Sequence, residues 1–220
     1  MTDIAVRELP LFPLPEVVLF PQEILPLHIF ESRYRIMLKS VLETDSRFGV
    51  VRWNPNSKKF SNVGCCAQII QHQTSDDGRS NVVTIGQQRF RVLETIREAP
   101  FVTAMVTWID DEPIDNPDQL TEISEKVLGA LKDVVSLTGK LTESNRSLPD
   151  GLPEIPRELS FWIASHLGGP VADEQQNLLE ILDTKNRLER EFEMLDYTRK
   201  QLAARTALKD SFANTDQANI

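Results

Sequence analysis

Cysteine is scarce in this sequence of 220 residues: there are two, and they are neighbours, Cys65 and Cys66. Adjacent side chains of a strand point to opposite faces, so a disulfide between them would need severe distortion. With no other cysteine to pair with, the chain is typical of a reducing compartment. We therefore expect a cytoplasmic protein, with the interior of an organelle as the alternative.

Basic charge is also in deficit, with 24 Lys and Arg against 33 Asp and Glu and a net charge of -9. Affinity for a phosphate backbone comes from clustered basic residues that release counterions, so nucleic acid is not an expected partner. No apolar run reaches the ~18 residues of a membrane span, so no membrane partner is expected either. The first ten residues carry Asp3 and no basic flank before an apolar run, so we do not expect a signal peptide.

The common catalytic and ligand-binding motifs are missing as well. The sequence has no G-x-x-x-x-G-K-[ST] phosphate loop, no G-x-S-x-G elbow and no H-E-x-x-H zinc motif. The three histidines, His28, His72 and His166, fall in different predicted elements, and the Cys65-Cys66 pair lacks the C-x-x-C spacing of zinc ligands. We predict no catalytic residue, no cofactor and no metal site, and the sequence alone names no peptide-binding residue.

Some of these residues leave an alternative open. His28 lies inside a predicted strand, where we expect it to face a polar neighbour and hold structure, with proton transfer as the other interpretation. His166 ends a predicted helix and suits the negative end of its dipole. We expect one of Cys65 and Cys66 to pack inward and the other to face out. The alternative hypothesis is an enzyme of unknown type, either a small hydrolase or a thiol-dependent one.

The first part of the chain is apolar but interrupted by prolines, which disfavour helix and leave extended pieces and turns. Strands are predicted over 17–20 and 24–30, and a short amphipathic helix begins after Glu31. The prolines are Pro10, Pro13, Pro15, Pro21 and Pro26.

Segments rich in β-branched and aromatic residues follow, separated by turn signals. They cover 48–53, 62–72, 81–96 and 101–109. Strands at such short intervals predict an antiparallel, partly closed barrel with one short helix. Trp53 and Trp108, near strand ends, either line a groove or close the core.

From Asp110 onward the apolar period becomes helical. A helix is capped by Asn116 with Pro117 at its first position, a second starts at Pro156 and ends at Gly168-Gly169-Pro170, and Asp173 opens a third through a capping box with Gln176. A long charged helix starts at Asp183, and its apolar seam of Leu188, Phe192, Leu195 and Leu202 is interrupted by Arg199. The seam packs within its own unit or binds a coiled-coil partner.

Many strands followed by several helices indicate an α+β chain of two units. We place a β-barrel unit at residues 1–112, a helical bundle ending in a long helix at 113–210, and a flexible tail at 211–220.

The blocks LPLFPLPEVVLFPQEILPLHIFESRYRIML, FGVV, VGCCAQI, GQQRFRV and FVTAMVTWID resemble the N-terminal domain of Lon, the ATP-dependent protease. The pattern covers Leu9 to about Asp110, and QNLLEILDTKNRLE at 176–189 is similar to the helical part of the same region. The resemblance implies a PUA-like β-barrel followed by a helical bundle. In Lon this region precedes an ATPase module and a Ser-Lys protease module, and we expect neither in this protein.

The resemblance implies a non-catalytic module that binds polypeptide substrates or a protein partner, acts in proteolysis or protein quality control, alone or as an adaptor, and forms a homo-oligomer in some assemblies. RNA binding, known for other PUA-like barrels, is a weaker alternative. For the proline-rich stretch, two interpretations stand. It offers strand edges to extended polypeptide, or it is the barrel core, with Glu31, Arg33 and Arg35 fixing the next helix by ion pairs.

Overall fold

The protein combines a seven-stranded sheet with five helices in a computed structural model that describes residues 5–114, 116–168 and 171–217, with side chains up to residue 209. The α+β class and the order of strands before helices are confirmed. The elements are β1 (Val6–Pro15), β2 (Ile24–Ile29), α1 (Ser32–Leu42), β3 (Arg47–Asn54), β4 (Lys59–Phe60), β5 (Val63–Thr74), β6 (Ser80–Arg97), β7 (Thr103–Ile109), α2 (Pro117–Thr142), α3 (Pro156–Ser165), α4 (Ala172–Glu180) and α5 (Thr184–Gln217).

The sheet closes on itself into a ring. Its strand order is β1-β7-β6-β5-β3-β4, with β2 added to β6. The first half of β1 pairs antiparallel with β7, and its second half, from Leu11 to Pro15, pairs parallel with β3. This one parallel contact joins β1 to β3 and closes the path β1-β7-β6-β5-β3, so the described strands form a ring-like sheet compatible with the predicted barrel.

The proline-rich segment differs from its prediction in two ways. Residues 6–15 form a strand, β1, although this segment carries three prolines and is not among the predicted strands. Residues 17–20, for which a strand is predicted, form a buried loop. The loop docks on β6, because the N–H of Gly86 donates to the carbonyl of Glu23 at 2.8 Å and the N–H of Gln22 donates to the carbonyl of Gly86 at 2.8 Å. A Cβ at position 86 would lie 1.9 Å from the Phe20 carbonyl oxygen, so this approach requires glycine.

Two clusters of buried side chains fill the sheet unit. The first core cluster includes Phe12, Phe48 and Cys65 and is covered by α1, and the second includes Leu11 and Phe90. Successive residues of β1 enter different clusters because side chains alternate across a strand. Apolar burial of this kind is the main stabilising contribution, about 25 cal/mol per Å².

The chain passes three times between two compact units. The sheet unit contains residues 1–111 and 161–182, and the helical unit contains 112–160 and 183–220. Residues 161–182, which the sequence analysis assigns to the helical bundle, therefore belong to the sheet unit by their contacts. The amphipathic pattern of α4 does not distinguish packing on a helix from packing on a sheet.

Arg89 holds this returning segment to the sheet. Its guanidinium donates to the carbonyls of Leu179 and Ile181 at 2.7 and 2.8 Å, pairs with Asp111 and lies 5.0 Å from the ring centroid of Phe161. The Arg89 side chain is 2% exposed. A buried guanidinium with several acceptors fixes the positions of all of them.

The predicted capping box of α4 is wrong. Val171 occupies the N-cap position, and Asp173 makes an ion pair with Arg52 of β3 at 2.6 Å. Gln176 donates to the carbonyl of Val63 at 3.1 Å and to the carboxylate of Glu180. Both side chains that the capping motif requires are engaged in other contacts, mainly with the sheet.

The helical unit is built mainly from α2 packed along α5. Asn116 caps α2 as predicted, because its side-chain oxygen accepts from the N–H of Gln119 at 3.2 Å. Leu188 and Leu195 of the seam are buried, and Arg199 forms an ion pair with Asp133 of α2 at 3.1 Å. These contacts support packing of the seam within its own unit.

Two further predictions concern segments that lie partly outside the described residues. The end of the second helix at Gly168-Gly169-Pro170 lies partly outside the described residues, and α3 has its last helical residue at Ser165. Of the predicted tail, the backbone to Gln217 continues α5, and the rest lies outside the described residues. Among the described residues, no helix combines the length and the apolar character needed to cross a membrane.

Two buried ionisable residues, Arg187 and Glu191, lie one turn apart on α5. The Nε of Arg187 donates to the hydroxyl of Ser160 at 2.8 Å, and both side chains are fully buried. One turn later, both carboxyl oxygens of Glu191 lack a hydrogen-bond partner within the described part of the chain. Burial raises the pKa of Glu191 well above its usual range, and the Arg187 guanidinium offsets only part of this rise.

We expect Arg89→Met to lower the free energy of unfolding by about 3–5 kcal/mol, because it removes the buried guanidinium that pairs with Asp111 and donates to the carbonyls of Leu179 and Ile181. Urea denaturation measures the change. Arg91→Met is the matched control, since Arg91 lies on the same strand but is exposed, and it should have little effect. Equal stability of the two variants would contradict the role of Arg89.

We expect Glu191→Gln to stabilise the protein increasingly as the pH rises above the ordinary glutamate pKa of 4.5. Above this pH the unfolded chain releases the proton while the folded chain retains it, so the wild type loses stability at up to about 1.4 kcal/mol per pH unit. The glutamine variant has no such proton, so it does not lose stability in this way. Urea denaturation at several pH values tests this, with exposed Glu189→Gln as control, and parallel curves for wild type and Glu191→Gln would refute it.

Candidate functional site

The sheet unit carries a groove of about 1080 Å³. Its walls come from the end of β1, the junction between β2 and α1, the β3–β4 hairpin, and the second half of β6 with the loop before β7. These segments are distant in sequence, and the ring closure by β1 brings them together. A concave site of this size, formed where several elements end, is the usual location of a binding site.

The groove is lined by apolar side chains, and two of them are well exposed. Phe30 is 59% exposed and Leu93 is 52% exposed. Phe60 and Val92 are half-buried and rest on the second core cluster, and Trp53 is also half-buried. The groove therefore presents exposed apolar side chains for binding, and the second core cluster supports them from below.

Local backbone geometry explains why Phe30 points outward. Its neighbour Ile29 is buried in the first core cluster, so the next side chain faces the opposite direction. His28 lies beside it, with ring centroids 6.0 Å apart, and its Nδ1 is 2.7 Å from Oδ1 of Asn81. His28 thus has the polar neighbour predicted for it, and it also lies at the groove.

The exposed position of Leu93 follows a register shift in β6. The pairing with β7 is irregular between Val92 and Glu94, so the alternation of inward and outward side chains breaks there. The sequence alone does not reveal this break, because Leu93 is one more apolar residue of the strand predicted over 81–96. Phe30 was missed similarly, because an apolar residue next to a helix start is typical of a core contact.

The second half of β6 also offers backbone groups. Residues 80–91 pair with β5, and the N–H of Val92 donates to the carbonyl of Asn62 at 2.7 Å. From residue 93 to 97, β7 is the strand partner in the described part of the chain. The other edge of this stretch is available to an added strand.

Charged side chains also line the groove. Lys58 and Lys59 belong to the β3–β4 hairpin, whereas Glu94 and Glu98 belong to the end of β6 and its loop. Within the described residues, none of these four makes an ion pair. At the junction of β2 and α1, Glu31 pairs with Arg33 at 2.8 Å, and an ion pair of Arg35 is absent from the described residues, so the predicted ion-pair lock is present in part.

The cysteines differ from their prediction. Cys65 belongs to the first core cluster and Cys66 to the second, and both are fully buried. They do lie on opposite faces of β5, but both faces are covered at this point. Burial raises the pKa of Cys65 well above its usual range and that of Cys66 to about 11, which disfavours the reactive thiolate.

The two other histidines lie outside the groove. His72 is exposed on β5. His166 follows α3, where its Nδ1 donates to the carbonyl of Trp162 at 2.8 Å. Its ring stacks on the Trp162 ring, with the two ring centroids 4.1 Å apart. His166 therefore has the predicted position at a helix end. No cluster of histidine, cysteine and carboxylate side chains suited to a metal occurs among the described residues.

Glu23 is a further titratable group with a shifted pKa, and no sequence motif marks it. Burial raises the pKa of Glu23 to about 7, and a hydrogen bond from the N–H of Phe20, 2.8 Å away, opposes this rise. Glu23 closes the loop at 20–23 and does not line the groove. Trp53 lines the groove, whereas Trp108 packs on the second core cluster. Each tryptophan thus matches one of the two predicted alternatives.

The helical unit has a smaller hollow of about 560 Å³ between α2 and the loop at 143–148. Its walls carry mainly Ser, Asn, Lys and Arg side chains, with Val135 and Leu148 as the large apolar residues. The groove of the sheet unit offers more apolar surface together with a strand edge, and it is the stronger candidate for binding polypeptide.

We expect both thiols to resist modification in the folded protein. At pH 8 a chromogenic disulfide reagent should react slowly with Cys65 and Cys66, because burial raises the pKa of each. In concentrated urea both should react at once. Fast reaction of either thiol without denaturant would show that it is accessible and would reopen the thiol-dependent hypothesis.

Comparison with known proteins agrees with this architecture. A family model described as the ATP-dependent protease La (LON) substrate-binding domain matches residues 8–197. Curated relatives include Lon protease 2 of Myxococcus xanthus, 26% identical over 88% of this chain, and the Lon protease of Xanthomonas oryzae pv. oryzae, 28% identical over 84%. The chain spans about a quarter of the length of these relatives, 24% and 22%.

Two solved structures share the fold. A Lon N-terminal domain protein from Xanthomonas campestris superposes with a TM-score of 0.59 at 24% identity, covering 83% of this chain and 95% of that one. The N-terminal domain of the Mycobacterium avium complex Lon protease superposes with a TM-score of 0.65 at 14% identity, covering 86% and 98%. With a family model that spans most of its residues, this chain belongs to the Lon substrate-binding domain family.

Proposed function

We propose that this protein binds exposed, extended segments of other polypeptides in the groove of its sheet unit, as a non-catalytic recognition module in proteolysis or protein quality control. The observation that carries the proposal is the groove itself, where the exposed apolar side chains Phe30 and Leu93 lie beside a strand edge. Apolar contacts and backbone pairing together suit a partner that is unfolded and variable in sequence.

Family membership supports the same conclusion. The family is described as a substrate-binding domain, and its relatives are named as Lon proteases. The matched region is about a quarter of those relatives, so ATP hydrolysis and peptide cleavage are not assigned to these residues. The module acts alone or delivers clients to a separate protease.

Each alternative meets a specific obstacle. A thiol-dependent enzyme needs an accessible thiolate, and both cysteines are buried with raised pKa values. A small hydrolase built on a histidine needs a nucleophile whose proton the histidine can accept. The side-chain hydrogen-bond partner of His28 is the amide of Asn81. The hydroxyl of Ser165 lies 2.9 Å from Nδ1 of His166, but it donates its proton to the carbonyl of Trp162 at 2.8 Å. RNA binding is disfavoured by the net charge of -9.

The setting of the proposed function is a reducing compartment such as the cytoplasm, which is consistent with two free, buried cysteines. A homo-oligomer would present several grooves to one unfolded client and would increase the apparent affinity through multivalency. Size-exclusion chromatography with light scattering determines the number of chains.

We expect the double variant Phe30→Ser, Leu93→Ser to bind a labelled, permanently unfolded protein about tenfold more weakly than the wild type. Such a change corresponds to about 1.4 kcal/mol, a fraction of the apolar contact energy of two large side chains. Fluorescence anisotropy measures the dissociation constants. Both side chains are more than half exposed, so the variant should keep the stability of the wild type.

The matched control is Ile24→Ser, Ile70→Ser. These residues lie on strands of the same unit and are 53% and 50% exposed, but neither lines the groove. The control should bind as the wild type does. Equal loss of affinity in both double variants would show that general surface hydrophobicity, and not the groove, determines the binding. Absence of binding of unfolded protein by the wild type would refute the proposed function.

A direct readout comes from Trp53, which lines the groove. The other two tryptophans, Trp108 and Trp162, can be replaced by phenylalanine to leave Trp53 as the sole reporter. Binding in the groove should shift its emission to shorter wavelength and protect it from a soluble quencher. An unchanged spectrum at saturating client would place the client elsewhere.

A further inference from the structure

We propose that the hollow between α2 and the loop at 143–148 binds a small phosphate-bearing anion, such as a diphosphate or a phosphate ester. The hollow lies in the helical unit, whereas the groove lies in the sheet unit, so this is a second site with its own ligand. Its shape, its unpaired cations and the pairing of the carboxylates beside them support the proposal.

The loop after α2 folds back along one face of the helix and thereby forms the hollow. The chain turns at Glu143, which has a left-handed φ of 52°, and the N–H of Ser144 then donates to the carbonyl of Gly139 at 3.0 Å. A Cβ at position 139 would lie 2.8 Å from the Ser144 carbonyl oxygen, so glycine permits this close return of the loop. Val135 and Leu148 face the same hollow, and its volume of about 560 Å³ accommodates a small ligand.

Basic side chains from both the helix and the loop line this hollow. Lys132 and Lys140 lie about two turns apart on one face of α2, and Arg146 belongs to the loop. Within the described residues, none of the three makes an ion pair. In the same part of the chain, the side-chain hydrogen bond of Arg146 runs from its Nε to the hydroxyl of Ser144 at 3.3 Å. The two terminal nitrogens of the guanidinium are thus available to a ligand.

The carboxylates beside these cations are paired with other residues. Glu143, the one carboxylate among the described residues of the wall, accepts from the Nζ of Lys209 at 2.7 Å. Asp133, next to Lys132 in the sequence, pairs with Arg199 at 3.1 Å. The three unpaired cations therefore form a local positive charge on a chain whose net charge is -9.

The end of α2 contributes an opposing effect, because the dipole of a helix places roughly half a negative elementary charge at its C-terminus. Donors already occupy the last carbonyls. The carbonyl of Thr138 accepts from the hydroxyl of Thr142 at 2.9 Å, and that of Leu141 accepts from Lys209 at 3.5 Å. Three full positive charges exceed half a negative one, so the potential in the hollow favours an anion.

The set of donors indicates phosphate as the class of anion. A guanidinium donates two parallel hydrogen bonds to phosphate oxygens, and ammonium groups bind phosphate as point charges. The hydroxyls of Ser136 and Ser147 and the amide of Asn145 add uncharged donors for the remaining oxygens. The volume exceeds that of one phosphate group, so a diphosphate fits, and so does an ester whose organic part contacts Val135 and Leu148.

Equilibrium dialysis with radiolabelled pyrophosphate tests the site, because it counts bound ligand directly. In low salt we expect saturable binding of one pyrophosphate per chain. The variant Lys132→Gln, Arg146→Gln should bind about tenfold more weakly, since it removes two charge-assisted contacts. Both side chains are exposed, so the variant should unfold at the same urea concentration as the wild type.

The matched control is Lys126→Gln, Lys185→Gln, which changes the net charge by the same amount. These lysines lie on α2 and α5, are exposed and do not line the hollow. The control should bind pyrophosphate as the wild type does. Labelled citrate tests the class of anion, because it carries a similar charge on carboxylates, and we expect it to bind about fivefold more weakly than pyrophosphate.

Three results would overturn the proposal. The first is no binding by the wild type at pyrophosphate concentrations up to about 10 mM, a limit that corresponds to negligible affinity. The second is equal weakening in the two double variants, which would show general attraction to basic surface residues. The third is citrate binding as tight as that of pyrophosphate, which would exclude phosphate as the preferred group. Binding of unfolded protein in the groove is measured separately and is unaffected by any of these results.

Discussion

Closure of the sheet by β1 is the constraint on which the rest of the sheet unit depends. The strand divides its pairing between two neighbours, with β7 over its first half and β3 over its second. Because each half is paired on one side, the prolines that interrupt the segment are tolerated, and they exclude a helix. Leu11 and Phe12 then enter different core clusters, and the strand ends at the groove. The apolar, proline-rich stretch thus contributes to both core clusters and, through the ends of β1 and β2, to the walls of the groove.

An exposed apolar groove on an acidic chain needs a physical explanation, since such surfaces favour aggregation. Here the backbone enforces the exposure. The inward side chain of Ile29 turns Phe30 outward, and the register shift of β6 does the same for Leu93. A net charge of -9 opposes self-association by repulsion. The exposed residues therefore remain accessible without loss of the core that supports them.

Local sequence patterns predicted most of the elements but not the contacts between distant parts of the chain. The strands β2, β3, β5, β6 and β7, the helix α1 and the Asn116 cap all follow from periodicity and capping chemistry. Pairing of β1 with β3 and the return of residues 161–182 to the sheet depend on contacts far apart in sequence, such as Arg89 with the carbonyl of Leu179. The groove could not be predicted for the same reason, because its walls come from four separate segments. The buried state of both cysteines required knowing that each face of β5 is covered.

The proposed recognition discriminates folded from unfolded clients without a sequence motif. Contact with Phe30 and Leu93 requires apolar side chains at alternate positions of an extended segment. In a folded protein such a segment is a strand whose edges are paired and whose apolar face is buried, so the groove cannot reach it. In an unfolded chain both are available.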